Sequence, residues 1–260
     1  EAASVAVRPL PLSVLIQLAD GASGWSDATL MDAVNTALHA EMLRDGPDGL
    51  LCRHDLVRQA VEAGLTSAAR QALHRRAALA LGGRPEGKAE PLAVAAHWSA
   101  AQEPQTALAW MQRGAVQLKM RGRFDEARAL WTQVAEESLD ATQGLQARLA
   151  LAECELLTDL ARGRIALLEV LAQVSAVAEP AQRDQIEGQT LAGLVDNAVF
   201  SGDLDAARNA AERLRPLLPR LRVDDRVHAC EVLIELAMRE PDIAEAWALL
   251  DQLRILVPAR

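Results

Sequence analysis

An all-α fold is predicted by three features of the 260-residue sequence. Alanine and leucine dominate and runs of β-branched residues are scarce, so the local preference is helical almost throughout. Apolar residues recur at helical spacing in one segment after another. From residue 91 onward, similar segments return after roughly 40 residues, a period that indicates helix pairs stacked into an α-α superhelix.

Residues 1–84 are predicted to form a degenerate winged-helix unit. PLSVLIQLAD and residues 26–43 have helical patterns, and Ser26 is the expected N-cap of the second helix. LRDGPDGLLCR then places strong turn residues between two short apolar runs, which is typical of a β-hairpin. Helices resume near His54 and near Ser67. The order helix, helix, hairpin, helix resembles a winged helix.

Residues 85–91 are the predicted linker. Gly82, Gly87 and Lys88 match the G-x-x-x-x-G-K core of a phosphate-binding loop. However, a helix rather than a strand precedes this motif, and an alanine stands where the magnesium-binding hydroxyl is needed. A helix end followed by a linker is therefore the preferred interpretation, and no cofactor is predicted for this chain.

Residues 91–260 contain the internal repeat. RGRFDEARALWTQV, at 121–134, returns as SGDLDAARNAAERL, at 201–214, and weaker copies start at Arg162 and Glu240. A first helix is predicted before each copy, over about 105–120, 143–161, 182–200 and 224–239. The turn glycines are Gly122, Gly163 and Gly202. The residues in the matching place beyond the turn are Ala127, Leu168, Ala207 and Ala246.

The turn pattern G-x-[FL]-[DE]-x-A resembles tetratricopeptide repeats, although the copies here are longer than the family period of roughly 34 residues. The resemblance implies that the first helix of each pair lines an inner surface. With the histidine and tryptophan that open the repeat region, this gives a candidate effector or partner groove: His97, Trp98, Gln112, Lys119, Glu153, Gln189, Asp196, His228, Glu231 and Glu235. Trp110, Trp131 and Trp247 are expected to pack between repeats.

A second resemblance lies in the front half. CRHDLVRQAVEAGLTSAARQALHRRAALAL, followed by LAVAAHWSAAQEPQTALAWMQRGAVQL, resembles the region after the ATPase module of large LuxR-type transcriptional regulators and related signal-transducing ATPases. Glu62 stands where that family usually has tyrosine. The resemblance implies a ligand-sensing and protein-interaction fragment of such a regulator, with ATP bound only by an absent upstream domain. That ATPase domain would be one partner. The alternative is a stand-alone helical-repeat adaptor that binds protein segments in its groove.

Catalytic and metal chemistry find little support in the sequence. Cys52, His54 and Asp55 lie close together, but no second cluster of ligands accompanies them, and helix capping by His54 or Asp55 is the preferred interpretation. Cys52, Cys154 and Cys230 are far apart and form no CxxC pair, which favours a reducing cytoplasm over a disulfide framework. Familiar catalytic motifs are absent, so the prediction is a protein that is not an enzyme.

Charge argues against nucleic acid as a direct partner, because 27 basic residues face 36 acidic ones and the net charge is -9. Arg70, Arg75 and Arg76 form a basic stripe, but in a DNA-reading winged helix the recognition helix precedes the wing. That helix, at 27–41, is acidic here. No apolar run reaches the roughly 18 residues that span a bilayer. The expected partner is a small polar effector, a peptide or a protein.

Overall fold

A computed structural model of the chain describes residues 2–5, 9–23, 26–84 and 89–256. Over these residues it contains thirteen α-helices and one two-stranded sheet, which confirms the all-α prediction. The chain separates into two compact units, 1–114 and 115–260. Residues 85–88 of the predicted linker lie outside the described residues, and Pro91 is already the first residue of a helix.

The first unit begins with a turn of 3-10 helix at Ala2–Val5. Its helices and strands are α1 (Leu12–Ser23), α2 (Asp27–His39), β1 (Leu43–Gly46), β2 (Gly49–Cys52), α3 (Asp55–Ala63), α4 (Ser67–Gly82) and α5 (Pro91–Ala100). Helix α6 (Pro104–Met120) starts in this unit. The core lies where α1 packs on α4, with Leu18 and Ala77 fully buried.

The predicted hairpin is present, with β1 and β2 antiparallel and Gly46 opposite Gly49. Leu10 adds a bridge to β2, since its N–H and its carbonyl both bond to Leu50 at 2.8 Å. Gly49 has a φ of +126°, and a Cβ there would lie 2.3 Å from the Leu10 carbonyl oxygen. Only glycine fits this position, because both the backbone angle and the close approach exclude a side chain.

The capping predictions have different outcomes at α2 and α3. Ser26 caps α2, because its hydroxyl accepts the Thr29 N–H at 3.2 Å. His54 precedes α3 but makes no side-chain cap bond, so capping by His54 is wrong. The Asp55 carboxylate binds the side chains of Arg58 and Gln59, at 2.7 and 2.5 Å. A salt bridge one turn along the helix has taken the place of the predicted cap.

The second unit contains the end of α6, seven further α-helices and two 3-10 helices, at Val174–Ala176 and Arg215–Arg220. The α-helices are α7 (Phe124–Glu137), α8 (Ala141–Leu156), α9 (Leu160–Gln173), α10 (Pro180–Ser201), α11 (Leu204–Leu214), α12 (Val223–Arg239) and α13 (Ile243–Leu256). Each of the pairs α8–α9, α10–α11 and α12–α13 is packed together, and α10 also packs against α8, α9 and α12. Buried leucines and alanines from α8 through α13 form one continuous core.

The turn glycines agree with the prediction in two of three cases. Gly122 and Gly202 adopt left-handed φ values of +73° and +79° beyond the ends of α6 and α10, where glycine relieves the steric strain. Gly163 instead lies buried inside α9, because α8 ends at Leu156, earlier than predicted. The expected packing of Trp247 between repeats is also wrong, since its side chain is 55% exposed.

Candidate functional site

A groove with a volume of about 240 Å³ lies between α9 and α11, with α10 as its floor and one side open to solvent. Leucines at a spacing of three residues put two side chains of one helix on the same face. The apolar lining consists of Leu168 and Leu171 from α9, Leu191, Leu194 and Ala198 from α10, and Ala206 and Ala210 from α11. The two alanines of α11 leave the space that larger side chains would fill.

An arginine lies at each end of this groove. Near the start of α9, Arg164 donates to the Asp203 carboxylate at 3.0 Å. Near the end of α11, Arg213 donates to Glu187 of α10 at 2.9 Å. The pKa of Asp203 is lowered first by the Ala206 N–H, which it accepts as N-cap of α11, and then by Arg164. The groove therefore has an apolar middle and a fixed guanidinium at either end.

The candidate residues from the sequence lie elsewhere. None of the ten lines the groove. Of the two in α5, both side chains are buried: His97 is 8% exposed and Trp98 is 7% exposed, packed against Ala78 and Ala107. They belong to the interior of the first unit, where little of either side chain is open to a ligand. Gln112, in the same unit, is half-buried.

The remaining candidates lie on the first helices of the second unit, as predicted, and many contact one another or near neighbours. Lys119 of α6 donates to Glu153 of α8 at 2.6 Å. Gln189 of α10 donates to Asp225 of α12 at 2.6 Å. Within α12, His228 Nδ1 lies 3.9 Å from the Glu231 carboxylate, and Glu235 forms an ion pair with Arg239 at 3.7 Å. Asp196 is exposed on α10. Much of this surface is thus occupied by contacts between its own side chains.

We expect the Lys119–Glu153 pair to contribute little to stability, because both side chains are partly exposed and solvent screens their attraction. A double-mutant cycle with Lys119→Met and Glu153→Gln should give a coupling energy of about 0.5 kcal/mol in urea unfolding. The exposed Arg254–Asp251 pair within α13 provides a reference cycle. A coupling energy above about 2 kcal/mol would contradict the expectation and show that the pair is a main structural contact.

A network of four polar side chains lies inside the first unit. The Nδ1 atoms of His74 in α4 and His97 in α5 are 2.9 Å apart. Glu62 of α3 lies 3.6 Å from His74 Nε2 and accepts from Arg58 at 2.7 Å. The carboxylate favours a proton on His74 Nε2, which leaves His74 Nδ1 as acceptor for the Nδ1–H of His97. Glu62, the residue that departs from the LuxR-type pattern, is therefore part of this network of polar side chains.

Burial determines the pKa values of these histidines. Desolvation is the main cause that lowers the pKa of His97 to about 4, and the neighbouring His74 adds to it. Desolvation also lowers the pKa of His74, against the opposing effect of Glu62. Both rings are therefore neutral near pH 7, which suits a structural hydrogen bond. In catalysis a base is expected to have a pKa near the working pH.

Among the residues described, no three His, Cys, Asp or Glu side chains are grouped in a way that could hold a metal ion. Burial raises the pKa of the thiols of Cys154 and Cys230, which makes them poor nucleophiles. In the part of the chain that the structure covers, every helix is too short or too polar to cross a bilayer.

Comparison with known proteins gave no assignment. No protein-family model matches the sequence. No curated protein is significantly similar to it. The candidate site therefore depends on the geometry of α9, α10 and α11 alone.

One residue that lines the groove, Leu168, also differed from the other copies in the repeat alignment made from the sequence. The second repeat copy has Leu168 where the other copies have alanine in the aligned position. That leucine lies at the rim of the groove and is 48% exposed. Its place in the repeat does not mark the site, however, because the helix starts align Gly163 rather than Leu168 with the alanines of the other copies.

Proposed function

We propose that this chain is the effector-sensing and protein-interaction part of a LuxR-type ATP-dependent transcriptional regulator, and that it is not catalytic by itself. The observation that carries the sensing role is the apolar groove between α9 and α11 with an arginine at each end. Concave apolar sites with few polar groups are the usual form of small-molecule sites. The regulator context is supported by the resemblance of about residues 45–135 to that family.

The proposed mechanism is a population shift. A ligand in the groove contacts α9, α10 and α11, which belong to two successive helix pairs. Because α10 also packs against α8 and α12, ligand binding favours one arrangement of neighbouring pairs over another. In this proposal ATP binding and DNA binding belong to other domains of the regulator, in the cytoplasm, and the ATPase domain is the partner that responds.

An adaptor role is the second candidate, and one observation favours it. Ile243, Trp247 and Leu250 follow one another at helical spacing on α13, and all three are exposed, Trp247 by 55% and Ile243 by 67%. Tryptophan is strongly enriched among residues that dominate protein–protein binding. A stripe of this kind suits contact with a protein segment.

A thermal-melt screen with sugars, amino acids and short peptides tests the sensing role. A ligand that binds only the folded chain raises the melting temperature by mass action, so a saturable rise of several degrees is expected for one ligand class. The Trp247→Ala variant is the control. Trp247 is distant in sequence from the groove residues, so removal of its side chain should leave the ligand-induced rise in melting temperature unchanged. No shift with any of these ligands, nor with a short-chain carboxylate, would contradict effector sensing and favour the adaptor.

A further inference from the structure

We propose that the groove between α9 and α11 binds a small amphiphilic carboxylate, with its hydrocarbon body on the leucines and its carboxylate on Arg164 or Arg213. This inference rests on the proposed sensing function and names the ligand class for it. It departs from the polar effector expected from the sequence, because the groove lining is mostly apolar.

The charge of the groove lining differs from that of the rest of the surface. The chain has a net charge of -9, so an anion is repelled by most of its surface. The groove lining differs, because it contains two arginines and no acidic residue, although their partner carboxylates Asp203 and Glu187 lie next to it. A guanidinium has five N–H donors, and within the described part of the chain Arg164 and Arg213 each donate to a single carboxylate. Each guanidinium therefore has N–H groups left to donate to a ligand carboxylate while it keeps its present partner.

The volume and length of the groove suit a short hydrocarbon chain. The volume of about 240 Å³ exceeds the 150 Å³ or so of an apolar cavity that binds benzene, and it is below the range of roughly 300–1,000 Å³ of drug-sized sites. It suits a body of about eight carbon atoms. A single hydrocarbon chain can lie along the groove, since Arg164 and Leu171 of α9 are seven helical steps apart, which is about 10 Å.

The rim of the groove exposes apolar surface to water. Leu168 leaves 48% of its surface in water, although it lies beside the buried Leu191 and Leu194. A hydrocarbon chain in the groove covers this surface and gains from its desolvation. Asn209, the remaining polar lining residue, is exposed and uncharged, so it poses no electrostatic barrier to an anion.

Calorimetric titration of the 260-residue chain with sodium octanoate tests the proposal. Saturable binding is expected, with a dissociation constant on the order of 1 mM or below. Octylamine has the same chain with the opposite charge and should bind at least about tenfold more weakly. Arg164→Gln or Arg213→Gln should weaken octanoate binding about fivefold or more, and the larger effect identifies the end that holds the carboxylate.

Leu168→Glu and Ile165→Glu form the matched pair. Both leucine and isoleucine are exposed on α9, by 48% and 59%, but only Leu168 lines the groove. Leu168→Glu should weaken octanoate binding about tenfold or more, and Ile165→Glu should leave it unchanged. Since both side chains are exposed, circular dichroism and melting temperature should confirm that the two variants fold.

Three results would overturn the proposal: no saturable octanoate binding to the wild type, equal affinity for octylamine, or unchanged binding in Leu168→Glu. The thermal-melt screen, run without octanoate on wild type and Leu168→Glu, separates this failure from failure of the sensing function. A panel ligand that stabilises both proteins equally supports sensing and excludes the groove as its site. A panel ligand that stabilises the wild type but not Leu168→Glu supports sensing through the groove, and it supports the proposed ligand class only if octanoate also binds.

Discussion

Acidification from about pH 7 to about pH 4.5 is expected to destabilise the chain through the buried His74–His97 pair. In the folded chain the pKa of His97 is lowered from 6.5 to about 4, mainly because the ring is desolvated. In the unfolded chain the ring is hydrated and keeps its ordinary pKa. The unfolded chain therefore binds a proton in this range that the folded chain excludes, and acid favours unfolding.

The sign and size of the change in the free energy of unfolding with pH follow from proton linkage. The stabilising effect of a neutral His97 is complete above the unfolded pKa of 6.5 and is lost as the pH falls towards about 4. At the acid end the loss from this residue is on the order of 3 kcal/mol in the free energy of unfolding. His74 changes stability in the same direction, since its pKa is lowered too. The charged groups around the pair are Glu62, which favours protonation of His74, and Arg70, which opposes it.

Urea unfolding of wild type and His97→Asn over this pH range measures the effect. Asparagine keeps a polar side chain but does not titrate, so the variant should be less stable at neutral pH and should lose less stability in acid. His228→Asn is the control, because His228 is exposed on α12 and its variant should follow the wild-type profile. Parallel pH profiles for wild type and His97→Asn would show that the buried ring is not the acid-sensitive group.

Helix positions in this chain could be predicted from sequence because each depends on local signals. Apolar spacing located α6, α10 and α12 to within a few residues, and glycine at a left-handed φ marked the ends of α6 and α10. The end of α8 was misplaced because no glycine marks it. The signal there is Asp159, whose carboxylate accepts the Arg162 N–H at 3.0 Å and starts α9. An N-cap at the following helix was the better indicator.

The site could not be predicted in the same way, since it depends on which helices meet. Leu168, Leu191 and Ala210 come from three helices, and no local pattern records that they line one groove. The first-helix positions were chosen by analogy with other repeats, and there Lys119 and Glu153 bind each other. The contact between His74 and His97 likewise follows only from the packing of α4 on α5.

The structure also corrects the alignment of the repeats at Gly163. Each second helix opens with an apolar residue, and its fourth residue is small and buried. These fourth residues are Ala127 in α7, Gly163 in α9, Ala207 in α11 and Ala246 in α13. Gly163 therefore corresponds to the alanines of the other copies and not to the turn glycines, and Leu168 lies one turn or more beyond the matching position.

Gly163→Ala is expected to destabilise the chain by about 2 kcal/mol, although alanine is the better helix former. A Cβ at Gly163 would lie 2.7 Å from the backbone nitrogen of Leu156 and 2.6 Å from its Cδ2. A leucine tip can rotate away, but a backbone nitrogen moves only if α8 and α9 separate.

Gly202→Ala is the matched comparison. Gly202 has a φ of +79° and nothing within 4 Å of an added Cβ, so alanine there costs only backbone strain, about 1 kcal/mol. Urea unfolding of the two variants should therefore rank Gly163→Ala as the more damaging. If Gly163→Ala were as stable as the wild type, α8 and α9 could not be as close as the structure has them, and the placement of Arg164 and Leu168 at the groove would fail with it.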